Sequence, residues 1–374
     1  MQFTSIQKLL CSFVVIGTVA LPVAANDTDE PTYNLQLRSI TDFTHFNTSD
    51  LGRSEEDFDF RSVRATLNGR LTSGFEFKLS TEFAGDGITF EDAFLKYQLS
   101  DAFSLTVGRH RVPVSLEEQT SIMDISFAER AAFTDAFNLG RAIGVSAAYH
   151  QSGFTFTSGI YGEERDIDFS PEVWSYAARS TFGQNRGNTS WLVGAAFWDK
   201  SYDDAVNRSY RGQLNANAVS PIISAGLLVT DEEYLGFEGA VQFERFHLAA
   251  EYGVQRSTLD NQQPAAKFGG GYAEIGYFLT DHARSVDIKA GKWTSYQDLN
   301  HSDLAVQLVA RADFLSLNDD AFRFGNQEAY LFGANLYLNR HIRFLLNIAF
   351  QEFQTVDAAS VDAHTITTRL QLVW

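Results

Sequence analysis

The chain has 374 residues, 44% hydrophobic and 14% aromatic, with 27 glycines but only 6 prolines. Its formal net charge of −18 argues against nucleic acid as a partner, because phosphate recognition along a helix needs a basic surface. The one cysteine, Cys11, lies in an N-terminal segment with the marks of a signal peptide, so the processed chain would hold no disulfide, thiolate nucleophile or zinc–cysteine site.

That segment has one positive charge, Lys8, then an apolar run over 9–21, and small residues at Ala24 and Ala25. It reads as a signal peptide with cleavage after Ala25, leaving 26–374 as one exported domain. The run is short for a membrane-spanning helix. A lipoprotein reading of Cys11 meets the obstacle of Leu10, where a small residue is needed. No later stretch has the length of an apolar spanning helix.

From residue 33 the period is two. Tyr33, Leu35 and Leu37 share one face. After the acidic stretch 47–57, Val63, Ala65, Leu67 and Leu71 alternate with Arg64, Thr66, Asn68 and Arg70. A three-residue turn leads to Phe75, Phe77, Leu79 and Phe83 against Glu76, Lys78, Ser80 and Glu82. Ala93, Leu95, Tyr97 and Leu99 follow, then Phe103, Leu105 and Val107. Strict alternation over such lengths is a strand signal. Short and long connections also alternate, as in an up-and-down barrel with tight turns at one end.

The interval 109–144 breaks the rhythm. A connection of nearly thirty residues is unusual in a compact domain and is generally functional or disordered. Phe127, Phe133 and Phe137 give it something to pack, so it is read as a loop folded into the barrel mouth. The pattern resumes over 142–151, 154–162, 174–182, 191–198, 235–244, 246–256, 271–280, 304–314, 328–338, 342–353 and 365–374. With the five earlier strands that makes about 16, and an extra hairpin within 200–234 (206–219 and 222–230) would make about 18, both allowed for membrane barrels. The stretch 281–303, with His282, Arg284, Lys289 and Lys292, is a long connection at the short-turn end.

The fold class expected is all-β, a transmembrane antiparallel up-and-down barrel. Charges recur in mid-strand opposite the apolar face, at Arg64, Arg70, Glu76, Lys78, Lys96 and Arg369. A water-filled lumen suits them, although the surface of a secreted sandwich would too. The terminal strand TITTRLQLVW, ending on Trp374, resembles the assembly signal of outer-membrane proteins and favours the barrel.

The order and spacing of several segments also resemble the phosphate-selective porin O and P family. These are EDAFLKY (91–97), VGRHRVPVSLEEQTS, DISFAER (124–130), GRAIG (140–144), GYAEIGYFLT (271–280), FGANLYLNRHIRFLLNIAF and TRLQLVW. The likeness covers roughly 33–374. It implies a 16-strand trimeric outer-membrane porin, narrowed by the third external loop (109–144), a later loop (200–234) and a long periplasmic turn (281–303). It would make 206–230 part of a loop. Phosphate-selective members line the constriction with lysines and an arginine ladder. Here the inward loop has no lysine, with Glu118 and Met123 in those places, and the ladder is thinned to Arg208 and Arg211.

The constriction or ion-binding candidates are therefore Arg61, Arg64, Arg109, Arg111, Glu117, Glu118, Arg208, Arg211, Lys289 and Lys292. Charged rings in a narrow pore set ion preference. Arg109 and Arg111 stand one on the lumen wall and one at a strand end. Glu129, Arg130 and Arg141 are read as ion pairs anchoring the loop, which a loop folded into a lumen needs. The acidic clusters 55–57, 163–164, 203–204 and 231–233 fall in the expected long loops, either solvated or attracting cations that bridge lipopolysaccharide. Trp174, Trp191, Trp198 and Trp374 are read as interfacial belt residues, and Trp293 as belt or lumen.

Enzyme motifs are missing from the sequence. Gly269-Gly270-Gly271 lacks the GxGxxG spacing, and no HExxH, GxSxG or P-loop lysine occurs. Consecutive residues such as His301 and Ser302 point apart on extended backbone and cannot form one triad. The reading is a passive outer-membrane diffusion channel for small hydrophilic ions, with no metal or cofactor. Its expected partners are lipid and lipopolysaccharide, two further copies, the assembly machinery through Trp374, and small ions. Phosphate or another anion is one substrate reading and a weak cation preference another. A non-conducting barrel acting as adhesin or hydrolase is the alternative outside the channel class.

Overall fold

The structure is a computed structural model that describes residues 30–374 except 73, 86, 163–172, 214, 217–218, 261–262 and 299–303. The expected signal peptide, Glu163-Glu164 and 300–303 lie outside the described residues.

The alternating segments become β1 (Thr32–Thr48), β2 (Arg53–Thr72), β3 (Phe75–Glu82), β4 (Thr89–Gln98), β5 (Phe103–Arg111), β6 (Arg141–Gln151), β7 (Phe154–Tyr161) and β8 (Val173–Arg186). They continue as β9 (Thr189–Arg211), β10 (Ser224–Phe243), β11 (Phe246–Leu259) and β12 (Ala266–Phe278). A long connection holds the small hairpin of β13 (Val286–Asp287) and β14 (Lys292–Trp293). Then come β15 (Ala305–Asn318), β16 (Arg323–Asn339), β17 (Ile342–Gln354) and β18 (Ser360–Val373).

Apart from the β13–β14 hairpin, these strands form one closed barrel of 16, each antiparallel to its neighbours, with β18 returning to β1. Closure matters because an open edge in a bilayer would leave backbone donors and acceptors without partners. The Leu37 amide and the Trp374 carbonyl meet at 2.8 Å, so the last residue completes the seam. The interval 200–234 adds no spanning strand. Val206 pairs with Val229 and Arg211 with Ser224, so the stretch lengthens the existing β9–β10 hairpin.

The outward rows are apolar, including Tyr33, Leu35, Val107, Val145, Ile160 and Phe237. Two register shifts interrupt the alternation where it matters. Between Ile40 and Thr41 the β1–β2 register skips Arg61, pairing Ile40 with Ser62 and Thr41 with Phe60. Phe58 and Phe60 are the exposed row before the bulge, and Leu67 belongs to it afterwards. Arg61 and Ser62 therefore both turn inward. A second shift pairs Ser80 with Asp92 and Thr81 with Phe90, leaving Glu91 as the extra residue, so Glu91 and Asp92 also face inward together.

The barrel has an interior core built largely between the inward loop and β9–β15. The connection 112–140 carries two short helical turns, α1 (Leu116–Gln119) and α2 (Ala132–Ala136). Val112, Val114, Leu116, Phe133 and Phe137 are buried with Leu192, Ala196, Trp198, Tyr234, Tyr272 and Leu315 in one apolar cluster. Phe133 stacks on Tyr272 at 6.5 Å, and Phe137 lies 6.3 Å from Tyr234. Each such side chain taken wholly from water contributes roughly 1.5–3 kcal/mol. Gly270 makes the approach possible, since a Cβ there would lie 2.5 Å from Phe133 Cβ. That is the role of the glycine stretch that carries no nucleotide motif.

Trp198 is inside, 1% exposed, and not in an interfacial belt; Trp293 is also buried, while Trp174 and Trp374 remain exposed. Nor are three of the acidic clusters in loops. Residues 55–57, 203–204 and 231–233 lie on β2, β9 and β10. Glu232 is buried and accepts hydrogen bonds from the Tyr202 and Tyr210 hydroxyls at 2.5 Å each.

Candidate pore constriction

A loop inside a barrel must find partners for its backbone amides and carbonyls. Here β11 and β15–β18 supply them as side chains. The Leu116 and Glu117 amides donate to the Glu251 carboxylate at 2.8 and 2.7 Å. The Ala128 amide donates to Asn347 Oδ1 at 2.7 Å, and the Ala132 amide to Asp313 Oδ2 at 3.0 Å. Arg343 donates to the carbonyls of Met123 and Ile125 at 2.9 Å each.

Four inward arginines, Arg284, Arg311, Arg343 and Arg369, thus fasten the loop, and none was among the sequence candidates. Arg311 bridges Glu117 and Glu274, each at 2.6 Å. Arg369 bridges Asp42 and Glu129, also at 2.6 Å. For Arg311, Arg343 and Arg369 the signal in the sequence was only a charge on the inward row of a late strand, and for Arg284 a charge in the long turn.

The long turn 281–298 reaches across from the opposite side. Arg179, held by Glu238 at 3.0 Å, donates to the Gly291 carbonyl at 2.5 Å. Thr155 Oγ1 lies 3.3 Å from the Ile288 and Lys289 carbonyls. Asp124 ties loop to turn, accepting from Ser295 Oγ at 2.9 Å and the Tyr296 amide at 3.0 Å. Burial raises the Asp124 carboxyl above its ordinary value, against those two bonds.

What stays open runs along β1–β8. A cavity of about 760 Å³ lies toward the short-turn end, and one of about 670 Å³ lies toward the long-loop end. Arg38, Arg64, Arg111 and Arg141 line both, so they mark where the two meet. In the first cavity nine Lys or Arg side chains face four Asp or Glu; in the second, six face three. A strongly acidic chain therefore encloses a basic passage.

The four arginines differ in how they are held. Arg64 Nε lies 3.0 Å from Glu82, and its Nη2 lies 2.9 Å from Glu91. Arg141 pairs with Glu91 at 2.8 Å and Asp92 at 2.7 Å, and Asp92 also takes Lys78 at 2.8 Å. Arg38 donates to Ser62 Oγ at 3.1 Å and lies 3.8 Å from Glu82. Arg111 donates only to backbone, the Glu118 carbonyl and the Thr120 carbonyl, the latter at 2.8 Å. Among the described residues Arg111, Lys289 and Lys292 form no ion pair. Burial, then the nearby Arg111 guanidinium, lowers the Lys292 ammonium from its ordinary value.

Of the candidates, Arg64, Arg111, Lys289 and Lys292 line the first cavity and Arg61 the second. Arg109 does not join them. It shares the outward register of Val107, its Nε donates to the Phe90 carbonyl at 3.0 Å, and it lines neither cavity. Glu117 and Glu118 also leave the passage. Glu117 is 3% exposed under Arg311, and Glu118 pairs with Arg130 at 3.0 Å. Both glutamates are thus paired away from the passage, while Asp124 of the same loop lines the first cavity.

Arg208 pairs with Glu232 at 3.0 Å and Arg211 bonds Ser209, both on the extended β9. Glu129 links the loop to Arg61 and Arg369, Arg130 braces the loop internally at the Thr120 carbonyl, 3.0 Å away, and Arg141 ties β6 to β4. Arg38, which sequence reasoning missed, stands at the first inward position beyond the apolar opening of β1.

The family model for phosphate-selective porin O and P matches residues 33–374. An uncharacterised protein of Caulobacter vibrioides is 32% identical over 314 residues, 79% of this chain, and the match covers 63% of that relative's length. Porin O of Pseudomonas aeruginosa is 24% identical over 353 residues, 90% of this chain and 73% of its own. Among solved structures, the trimer form of the outer-membrane protein OmpT of Vibrio cholerae aligns with TM-score 0.62 at 11% identity, over 92% of this chain and 100% of that one. An anion-selective porin from Comamonas acidovorans aligns with TM-score 0.60 at 12% identity, again over 92% and 100%. With a family match spanning the whole barrel, the chain belongs to the phosphate-selective porin O and P family, as an outer-membrane porin whose third loop fills one side of its lumen.

Proposed function

We propose that this porin is a diffusion channel with a preference for small anions, inorganic phosphate included. The observation that carries the reading is the meeting of both cavities at Arg38, Arg64, Arg111 and Arg141, with Lys289 and Lys292 close by. Cations fixed in a partly dehydrated constriction lower the barrier for anions and raise it for cations. Guanidinium groups suit oxyanions because their donors match two oxygens at once. Arg111 and Lys292, without carboxylate partners, are the groups best able to meet an entering anion.

Around this core the assembly follows the family. The chain is exported by removal of 1–25, inserted by the outer-membrane assembly machinery reading the strand that ends at Trp374, and surrounded by lipid and lipopolysaccharide. Three copies associate, in keeping with the trimer form of the Vibrio cholerae neighbour. The work of the protein is passage and selection, not catalysis.

The test is the reversal potential of the purified protein in a planar bilayer across a potassium chloride gradient, followed by inorganic phosphate. Anion preference that falls in Arg111→Ala is expected. Cation preference or none would overturn the anion reading, and no conductance would overturn the channel itself.

A further inference from the structure

The arginines at the junction are not equally available, and the reason is a residue that the alternating pattern should have hidden. The bulge opposite Ser80 and Thr81 leaves Glu91 without a cross-strand partner and turns it to the same side as Asp92. Its carboxylate spans two guanidiniums, one oxygen to each, with Oε1 2.9 Å from Arg64 and Oε2 2.8 Å from Arg141. This is how an oxyanion would sit between the same two side chains.

The neighbouring carboxylates are placed differently. Glu82 accepts from Ser62 Oγ and the Val63 amide, each at 2.6 Å, and so is fixed in the wall. Asp92, at 5% side-chain exposure, is shared by Lys78 and Arg141. Glu91 is 22% exposed, lines the cavity toward the long-loop end, and has no contact besides the two arginines among the described ion pairs and hydrogen bonds.

We propose that Glu91 is a built-in counter-anion, occupying an oxyanion seat between Arg64 and Arg141 so that the constriction passes anions without retaining them. Resting on the anion-channel reading above, this names the residue that sets how tightly the passage holds an oxyanion. With Glu91 in place, an entering anion meets Arg111, Arg38 and the lysines, while the Arg64–Arg141 pair is already neutralised. With its charge removed, each guanidinium keeps one wall carboxylate, Glu82 for Arg64 and Asp92 for Arg141, and the donors that held Glu91 are released to an oxygen-rich anion such as phosphate.

The experiment compares the wild-type protein with Glu91→Gln in planar bilayers, measuring chloride selectivity and the block of chloride current by added inorganic phosphate. Glu91→Gln is expected to raise anion preference and lower the half-blocking phosphate concentration at least tenfold, with a smaller effect at high salt, where the charges are screened. Unchanged block and selectivity in Glu91→Gln, with an anion-selective wild type, would overturn the role of Glu91 and leave the channel reading standing. A wild type without anion preference would overturn that reading instead. Should Glu91→Gln fail to fold, Glu91→Asp keeps the charge but is too short to span both arginines. It is expected to lower the half-blocking phosphate concentration relative to wild type, and block equal to wild type would overturn the proposal.

Discussion

Glu129→Gln tests how the inward loop is held. The Glu129 side chain is 3% exposed and takes Arg61 through both oxygens, at 2.8 and 3.0 Å, and Arg369 at 2.6 Å. Burial pushes its carboxyl up, but Arg61 and Arg369 outweigh it and bring it down from 4.5 to about 2. At about 1.4 kcal/mol per tenfold, the ionised form is therefore worth about 3 kcal/mol to the docked loop.

The mutant recovers part of this. Arg61 is 26% exposed and can hydrate, and Arg369 keeps Asp42. A loss of about 2–3 kcal/mol is expected, near the lower end for removing one partner of a buried pair. Opening of the loop should become roughly 30–150-fold more frequent.

The assay is hydrogen exchange of the amides over 126–132, with single-channel noise as the functional readout. The pH dependence has a definite sign. A carboxyl held below its ordinary value stabilises fully above 4.5, and the contribution disappears as pH falls through about 2. Wild type should lose protection across that window, and Glu129→Gln should lack this loss. Exchange within twofold of wild type, or an unchanged acid profile, would refute the reasoning.

Asp135 behaves oppositely. Burial, then Glu129, raises its carboxyl from 3.8 to about 7, so the docked loop retains a proton that a released loop gives up. Docking should weaken as pH rises from 3.8 to about 7 and then level off, and Asp135→Asn should flatten that slope in exchange at pH 5 and 8. Gly270→Ala puts a Cβ 2.5 Å from Phe133 Cβ and 2.9 Å from the Phe314 carbonyl oxygen. Overpacking of about 1–3 kcal/mol should undock α2 while the barrel persists, read as faster proteolysis within 112–140 without loss of the heat-modifiable band.

The barrel was legible because its signals are local. Alternation over 63–71, 75–83 and 93–99 places residues on two faces through backbone geometry alone, and the turns between them need only neighbours in sequence. The inward loop was also visible, as an overlong interval with Phe133 and Phe137 in it. The extended β9–β10 hairpin illustrates the limit: strand pattern alone does not distinguish a longer strand from a new one until pairing is known.

The constriction was less legible, for a physical reason. Arg109 and Arg111 share a register, yet one lies on the outer wall and the other turns into the lumen where the strand ends. Arg61 and Glu91 enter the passage because bulges reset the alternation, and a bulge exists only relative to the partner strand. Glu117 looked like a pore charge until Arg311, far along the chain, drew it into the wall. The sequence by itself determined a membrane barrel, its approximate strand number and the loop that narrows it, all consequences of local periodicity. Which charges face the ion and which cancel one another was decided by register and long-range pairing, so only the tertiary structure shows a basic passage inside an acidic protein.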